Sequence, residues 1–202
     1  MHPNPAFHWT DQAEMLDFVA HRAFAHIFTA SQAGLFVVHA PVAVHEHRIW
    51  FHVAKRNRIA GQFEGGRALI SVSGREAYQS ANWYVSADQV PTWHYEAVEI
   101  EGPVRRLSDQ ELVAFLDILS EAMEGRHSPE QPWTRAKMAP GRFEAMTQAI
   151  VGFEVEPAEI RGTRKFNQHK SGGDLAATIA GQCGAGRQDI VAAIAELAPR
   201  EE

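Results

Sequence analysis

The chain has 202 residues, 45% of them apolar and 22% charged, with a formal net charge of −6, values of a globular protein large enough to bury its own core without staples. No stretch approaches the roughly 20 apolar residues that cross a bilayer, so no membrane helix is expected, and the acidic balance argues against a surface built to attract nucleic acid. The single Cys183 cannot form an internal disulfide and the opening MHPNPAFHWT lacks a basic segment followed by an apolar run, which together point to a reducing, cytoplasmic setting.

Asp11 and Glu14 stand at the spacing of a helix start, and Leu16, Val19, Ala20 and Ala23 follow at helical intervals, predicting a first helix over roughly residues 12–24. From Ala25 the texture changes to short apolar runs rich in β-branched and aromatic residues: HIFTA, GLFVVHAPVAV, RIWFHVA and ALISVSG. These predict strands. The segment from His45 to Arg48 is the tip of a hairpin, and Gly65-Gly66 breaks the chain before the next strand. After a polar stretch around Ser86 to Pro91, HYEAVEIEGPVRRL alternates as a further strand with a bend or bulge at Gly102-Pro103. Ser108 and Glu111 then form a capping-box pattern ahead of Leu112, Phe115, Leu116 and Leu119, the strongest helix signal in the chain. A helix from about Gly141 to Ala149, the strand IVGFEVEP, and two Ala-rich helices between Asp174 and Leu197 broken at Gly184-Ala-Gly186 complete the pattern. The fold class is α+β: an antiparallel β-barrel core over residues 1–170 with flanking helices, and a C-terminal helical pair over 171–202 packed on the barrel or on a second subunit.

Several constellations can carry chemistry. Phe51-His52-Val53-Ala54-Lys55-Arg56-Asn57 is a strand running into cationic and amide donors, which suits an anion because a phosphate needs several donors on one point; a solvated strand end has the same composition. Tyr78, Trp83, Tyr84, Trp93 and Tyr95, interleaved with Ser80, Asn82 and Thr92, suit a planar cofactor needing an apolar wall and edge hydrogen bonds, or equally a core closed by large rings. His45 and His47 have the spacing of two metal ligands on a strand face, but only Glu46 stands near to complete a set, and no metal is expected. Cys183 lies in a Gly-rich break with no histidine close in sequence, and no Gly-x-Ser-x-Gly elbow occurs. The C-terminal helical pair has the length of a helix-turn-helix, yet Arg187 to Glu196 carries one cation and two acids, a poor recognition helix.

In chain order, the motifs His39-Ala-Pro41, His52-Val-Ala-Lys55-Arg-Asn57, Ala77-Tyr78, Trp83-Tyr84, Val90-Pro-Thr-Trp93-His-Tyr95, Ala149-Ile-Val-Gly152 and Lys165-Phe-Asn-Gln168 resemble the PaiB-type family of FMN-binding negative transcriptional regulators. The resemblance covers nearly the whole chain. It implies the FMN-binding split barrel shared with pyridoxamine-phosphate-oxidase-like proteins, FMN as cofactor, and a homodimer whose flavin lies in a groove between subunits. It also implies that Lys55, Arg56 and Asn57 bind the FMN phosphate, that Tyr78, Ser80, Trp83, Thr92 and Trp93 line the flavin ring or its ribityl chain, and that His52, Lys165 and Gln168 belong to the same site. The chain departs from the family pattern in Arg58 after Asn57, in His94 where asparagine is common, and in Lys-Phe-Asn-Gln-His from Lys165 to His169. A regulatory flavoprotein without direct DNA contact is the leading expectation. An FMN-dependent oxidoreductase acting on a small molecule, pyridoxamine-phosphate-oxidase-like or flavin-reductase-like, is the alternative, and a haem-associated role for a histidine-rich chain is a third reading.

Overall fold

The computed structural model describes residues 2–170 and 172–197. Its elements in chain order are β1 (His8–Trp9), α1 (Gln12–Arg22), β2 (Phe24–Ser31), β3 (Gly34–His45), β4 (Arg48–Ala54), β5 (Arg67–Gln79), β6 (Thr92–Arg106), α2 (Asp109–His127), α3 (Arg142–Thr147), β7 (Ile150–Val155), β8 (Glu159–Lys165), α4 (Gly172–Gly184) and α5 (Gln188–Leu197). The antiparallel α+β arrangement with flanking helices is the one the sequence predicts. The chain divides into two compact units, Gln12–Val72 with Glu99–Ile160, and Met1–Asp11 with Ser73–Val98 and Arg161–Glu202. Strands β5 and β6 each contribute to both, and residue 170 lies inside the second unit.

In the first unit the strands hydrogen-bond in the order β6-β5-β2-β3-β4-β7, and a further β6–β7 pairing closes the ring into a six-stranded barrel. Strand β3 makes the corner by changing partners, pairing with β2 through residues 34–41 and with β4 through 42–45. The β3–β4 turn places both Glu46 and His47 at positive φ, 49° and 66°, as a two-residue hairpin turn matching the strand twist requires. Alternate residues are buried on one face of each strand: Ala25 and Ile27; Ile49, Phe51 and Val53; Ala68, Ile70 and Val72; Val151, Phe153 and Val155. Phe51, Phe63 and Phe153 fill the interior as a triangle of rings with centroids 5.1 to 5.5 Å apart. On the outer face, Ala43 and Trp50 pack with Leu107, Leu112 and Phe115 under α2, whose capping box is complete at Ser108 and Glu111. Gly102 is required by close approach, since a Cβ there would sit 1.9 Å from the carbonyl oxygen of Glu156.

The second unit carries β1, β8 and the remaining parts of β6 and β5, in that order, with α4 and α5. Ile190, Ala193 and Ile194 of α5 are fully buried with Phe166 and Ala77, and the break between the two helices falls at Gly184 to Gly186, where Gly186 takes φ 73°. Two differences from the sequence reading have local causes. The first helix stops at Arg22 because Ala23 adopts φ 51° and Phe24 opens β2. Strands β1 and β8 carry no apolar alternation that would announce them, being a two-residue pair and the polar EIRGTRK.

Candidate functional site

In the barrel unit, β4 delivers its C-terminal end to a tight turn. Lys55 N donates to the Ala149 carbonyl at 2.8 Å, Asn57 N to the Ala54 carbonyl at 2.9 Å, and the Asn57 Oδ1 accepts from Ile59 N at 3.2 Å. Asn57 therefore holds the turn with its side-chain oxygen, and its amide nitrogen is left for a ligand. Lys55, Arg56, Asn57 and Arg58 are all exposed. Neither Lys55 nor Arg56 has a carboxylate within ion-pair distance among the described residues, while Arg58 lies over the Phe36 ring at 5.2 Å. A compact ammonium, a planar guanidinium and an amide on consecutive residues, without an internal counter-charge, are a donor set that fits the FMN phosphate. His52 faces the other way. Strand alternation sends it to the side of Trp50, its ring 5.5 Å from Phe115, with Nδ1 buried and unpartnered and burial lowering its pKa.

In the second unit the remaining candidates separate by strand face. Tyr78 and Trp93 project on the exposed side of β5 and β6, half exposed at 50% and 55%, with their rings edge-to-face at 6.0 Å. Thr92 and the fully buried His94 take the other side, where Lys165 Nζ donates to Thr92 Oγ1 at 2.7 Å. Ser80 caps a short helical turn by accepting from Asn82 N, and Trp83 at the end of that turn lies against α4 at Gly181, where a Cβ would come within 2.4 Å of the indole. Gln168 accepts from Phe166 N and donates to the carbonyls of Ala6 and Arg164, so its amide is spent on the backbone. The unit thus brings Tyr78 to Trp93, and Thr92 to Lys165, on opposite faces of the strands.

His94, marked in the sequence only as a departure from the family pattern, and polar residues that sequence reasoning passed over organise this unit. His94 lies between the Gln79 Oε1 at 3.1 Å and the Lys165 carbonyl at 3.3 Å, and Gln182 of α4 donates both to Gln79 Oε1 and to the Tyr78 carbonyl. Asn167, at φ 61°, donates to Tyr84 Oη and Thr178 Oγ1, while the Asp174 carboxylate accepts from the N–H groups of Val85 and Ser86. Each partner stands many positions away in sequence, so spacing carries no trace of these bonds. His45 packs against Trp50 with the rings tilted at 51° and centroids 4.4 Å apart, which gives the histidine of the hairpin tip a packing role.

A closed antiparallel barrel flanked by helices thus carries, at the end of β4, a cationic turn without an internal counter-charge. The chain belongs to the FMN-binding family described as "Putative FMN-binding domain", whose model matches residues 1–159, and FMN is the cofactor of that family. It is 30% identical over 170 residues to the Protease synthase and sporulation protein PAI 2 of Bacillus subtilis (strain 168), a match covering 82% of this chain and 81% of the relative. Among solved structures it is similar to the FAD and heme binding protein from Mycobacterium smegmatis (TM-score 0.59, 13% identity, 78% of this chain and 73% of that one). It is also similar to the flavocytochrome Anf3 from Azotobacter vinelandii (TM-score 0.57, 17% identity, 85% and 73%). At these identities the two structures speak to the fold.

Proposed function

We propose that the protein is a cytoplasmic PaiB-type regulatory flavoprotein that holds FMN by its phosphate at Lys55, Arg56 and Asn57. The observation that carries this reading is the unpaired cationic turn at the end of β4, inside the stretch that the FMN-binding family matches. Tyr78, Ser80, Trp83 and Trp93 are assigned to the ring and ribityl chain, whereas the Gln168 amide is committed to the backbone and Thr92 and Lys165 are bonded to each other on the opposite strand face. In a groove formed between the subunits of a homodimer, the phosphate donors of one protomer and the aromatic set of the other can serve the same cofactor. His52, turned toward α2, supports the strand rather than the ligand.

The regulatory role rests on the PaiB resemblance and acts without direct DNA contact. Supporting this, α5 is packed by Ile190, Ala193 and Ile194, and its short polar side offers few cations for base edges. The exposed Tyr78–Trp93 pair favours a second reading, an FMN-dependent oxidoreductase whose small substrate reaches the flavin past open aromatic edges.

The test of the phosphate assignment is Lys55→Ala with Arg56→Ala. FMN affinity measured by fluorescence quenching is expected to fall by roughly 2–5 kcal/mol, since two charge-assisted contacts are removed; unchanged affinity removes the assignment. A DNA titration at low salt decides between indirect and direct regulation, and reoxidation after anaerobic reduction with NADH, NADPH or pyridoxamine phosphate decides for or against the enzyme.

A further inference from the structure

Three nitrogen side chains converge around the ring of Phe7 in the second unit. His2 and His169 meet it edge-on with centroids 4.7 and 5.0 Å away, and the Lys165 ammonium lies 5.8 Å from its centre. Phe7 is buried, Lys165 and His2 are half-buried and His169 is exposed, so an apolar floor lies beneath a rim of one ammonium and two imidazoles. Lys165 donates only to the neutral Thr92 Oγ1, and no carboxylate stands within ion-pair distance of it among the described residues. His8 brings its Nε2 to 2.7 Å from the His2 carbonyl oxygen. Lys170 donates to Gln89 Oε1 over the Tyr84 ring, and Asp174 feels its charge. Burial, then Lys170, Lys165 and His2, lower the pKa of His169; burial, then Lys165 and His8, lower that of His2. No carboxylate is among the groups acting on either ring. A half-buried ammonium is ordinarily paired, yet Lys165 has no carboxylate partner among the described residues, in a chain of net charge −6.

We propose that this rim is an anion site that takes the phosphate group, free or esterified, of a small-molecule substrate or effector, held by Lys165 Nζ, the Thr92 hydroxyl and the imidazoles of His2 and His169. Thr92 Oγ1 accepts from Lys165, which leaves its hydroxyl proton to donate outward. FMN carries a single phosphate, and its proposed donors lie in the barrel unit, so the rim serves a different anion. A bound oxyanion supplies the missing counter-charge and favours the imidazolium form of His169, while His2 keeps its Nδ1 as acceptor for Asn4 N and offers Nε2–H, so binding takes up a proton and tightens as pH falls.

The experiment follows the imidazole 15N resonances of the FMN-loaded full chain at constant ionic strength. Sulfate, whose charge is the same at pH 6 and pH 8, is the probe of proton linkage; inorganic phosphate and glycerol phosphate at pH 7 distinguish a free from a carried phosphate group. Saturable shifts of His2 and His169 are expected, about tenfold tighter for sulfate at pH 6 than at pH 8. Lys165→Met should abolish them, and His169→Gln should keep binding while losing most of its pH dependence. In flavin-free protein the Lys55→Ala, Arg56→Ala pair should leave the titration as it is in flavin-free wild type, which separates this site from the flavin assignment. Shifts that never saturate, that chloride reproduces, or that in flavin-free protein appear with FMN but not with phosphate overturn the proposal.

Discussion

His94 shows how one residue ties burial to a measurable pH profile. Its ring is fully buried, stacked on Phe166, and flanked by two acceptors, the Gln79 Oε1 and the Lys165 carbonyl. Burial dominates and pulls its pKa down to about 4, against a smaller opposing pull from the Lys165 carbonyl. In the unfolded chain the imidazole titrates near ~6.5. The folded pKa is the depressed one, so this contribution is complete above about pH 6.5 and is lost as pH falls toward 4, when the unfolded chain takes a proton that the folded ring refuses. The loss amounts to about 3 kcal/mol at most, and His52, lowered in the same direction by burial, adds to it. His94→Asn, the amide the resembling family commonly has, is expected to flatten the difference in urea-unfolding free energy between pH 7 and pH 4.5 by about 2 kcal/mol; an unaltered difference would show that His94 does not set it. The sequence marked this position as a departure, but nothing in it said that the ring is buried, because Gln79 and Gln182 reach it from other elements. Lys55 and Arg56 were legible for the opposite reason: exposed cations at a strand end need no tertiary partner to be recognised.

Among elements, legibility followed local determinants. Helix α2 was readable because both bonds of its capping box lie within four residues, Ser108 Oγ accepting from Glu111 N and Glu111 Oε2 accepting from Ser108 N. Ser108→Ala is therefore expected to lower stability by about 1 kcal/mol, seen as a shifted urea midpoint with an unchanged slope. Beside it, Glu154 was not readable. It is a buried carboxylate on β7 that accepts from Trp50 Nε1 at 2.7 Å and from two nitrogens of Arg105, which also grips Glu111 and holds that carboxyl down to about 2. An acidic residue amid IVGFEVEP looks like the solvent face of a strand until Trp50 and Arg105 close on it. Helix α4 gives a third case, in which propensity and packing oppose each other. Alanine at Gly181 gains about 1 kcal/mol of intrinsic helix preference, but its Cβ would meet the Trp83 indole at 2.4 Å. Gly181→Ala is expected to destabilise the second unit and to red-shift tryptophan emission as Trp83 is pushed toward water, whereas stabilisation with unchanged emission would mean that the indole moves aside freely.

At the scale of the whole molecule, the outer face of the β2–β3 ladder bears on self-association. Its cross-strand pairs are Phe24 with Pro41, His26 with His39, Phe28 with Val37 and Ala30 with Leu35, and Phe24, Phe28, Leu35 and Val37 are all exposed, Leu35 to 86%. A row of large apolar side chains in water on adjacent strands marks an interaction surface. None of these eight residues is an acid, a lysine or an arginine, so two copies can meet there without the repulsion that a net charge of −6 imposes elsewhere. This face is the one expected to join the proposed homodimer, and the proposed flavin groove between subunits would make cofactor retention depend on it. Phe28→Asp with Leu35→Asp should raise the dimer dissociation constant by at least about a hundredfold, because two charges are placed in a desolvated contact on each protomer. Sedimentation velocity reads that shift, and the flavin absorbance of the monomer fraction reads the coupled loss of FMN. Both residues project from the outer face, so the melting temperature of the monomer should stay within a few degrees of that of wild type at a concentration where both are monomeric. A wild-type chain that sediments as a monomer at all concentrations, or a variant that stays dimeric with its flavin, would place the contact elsewhere.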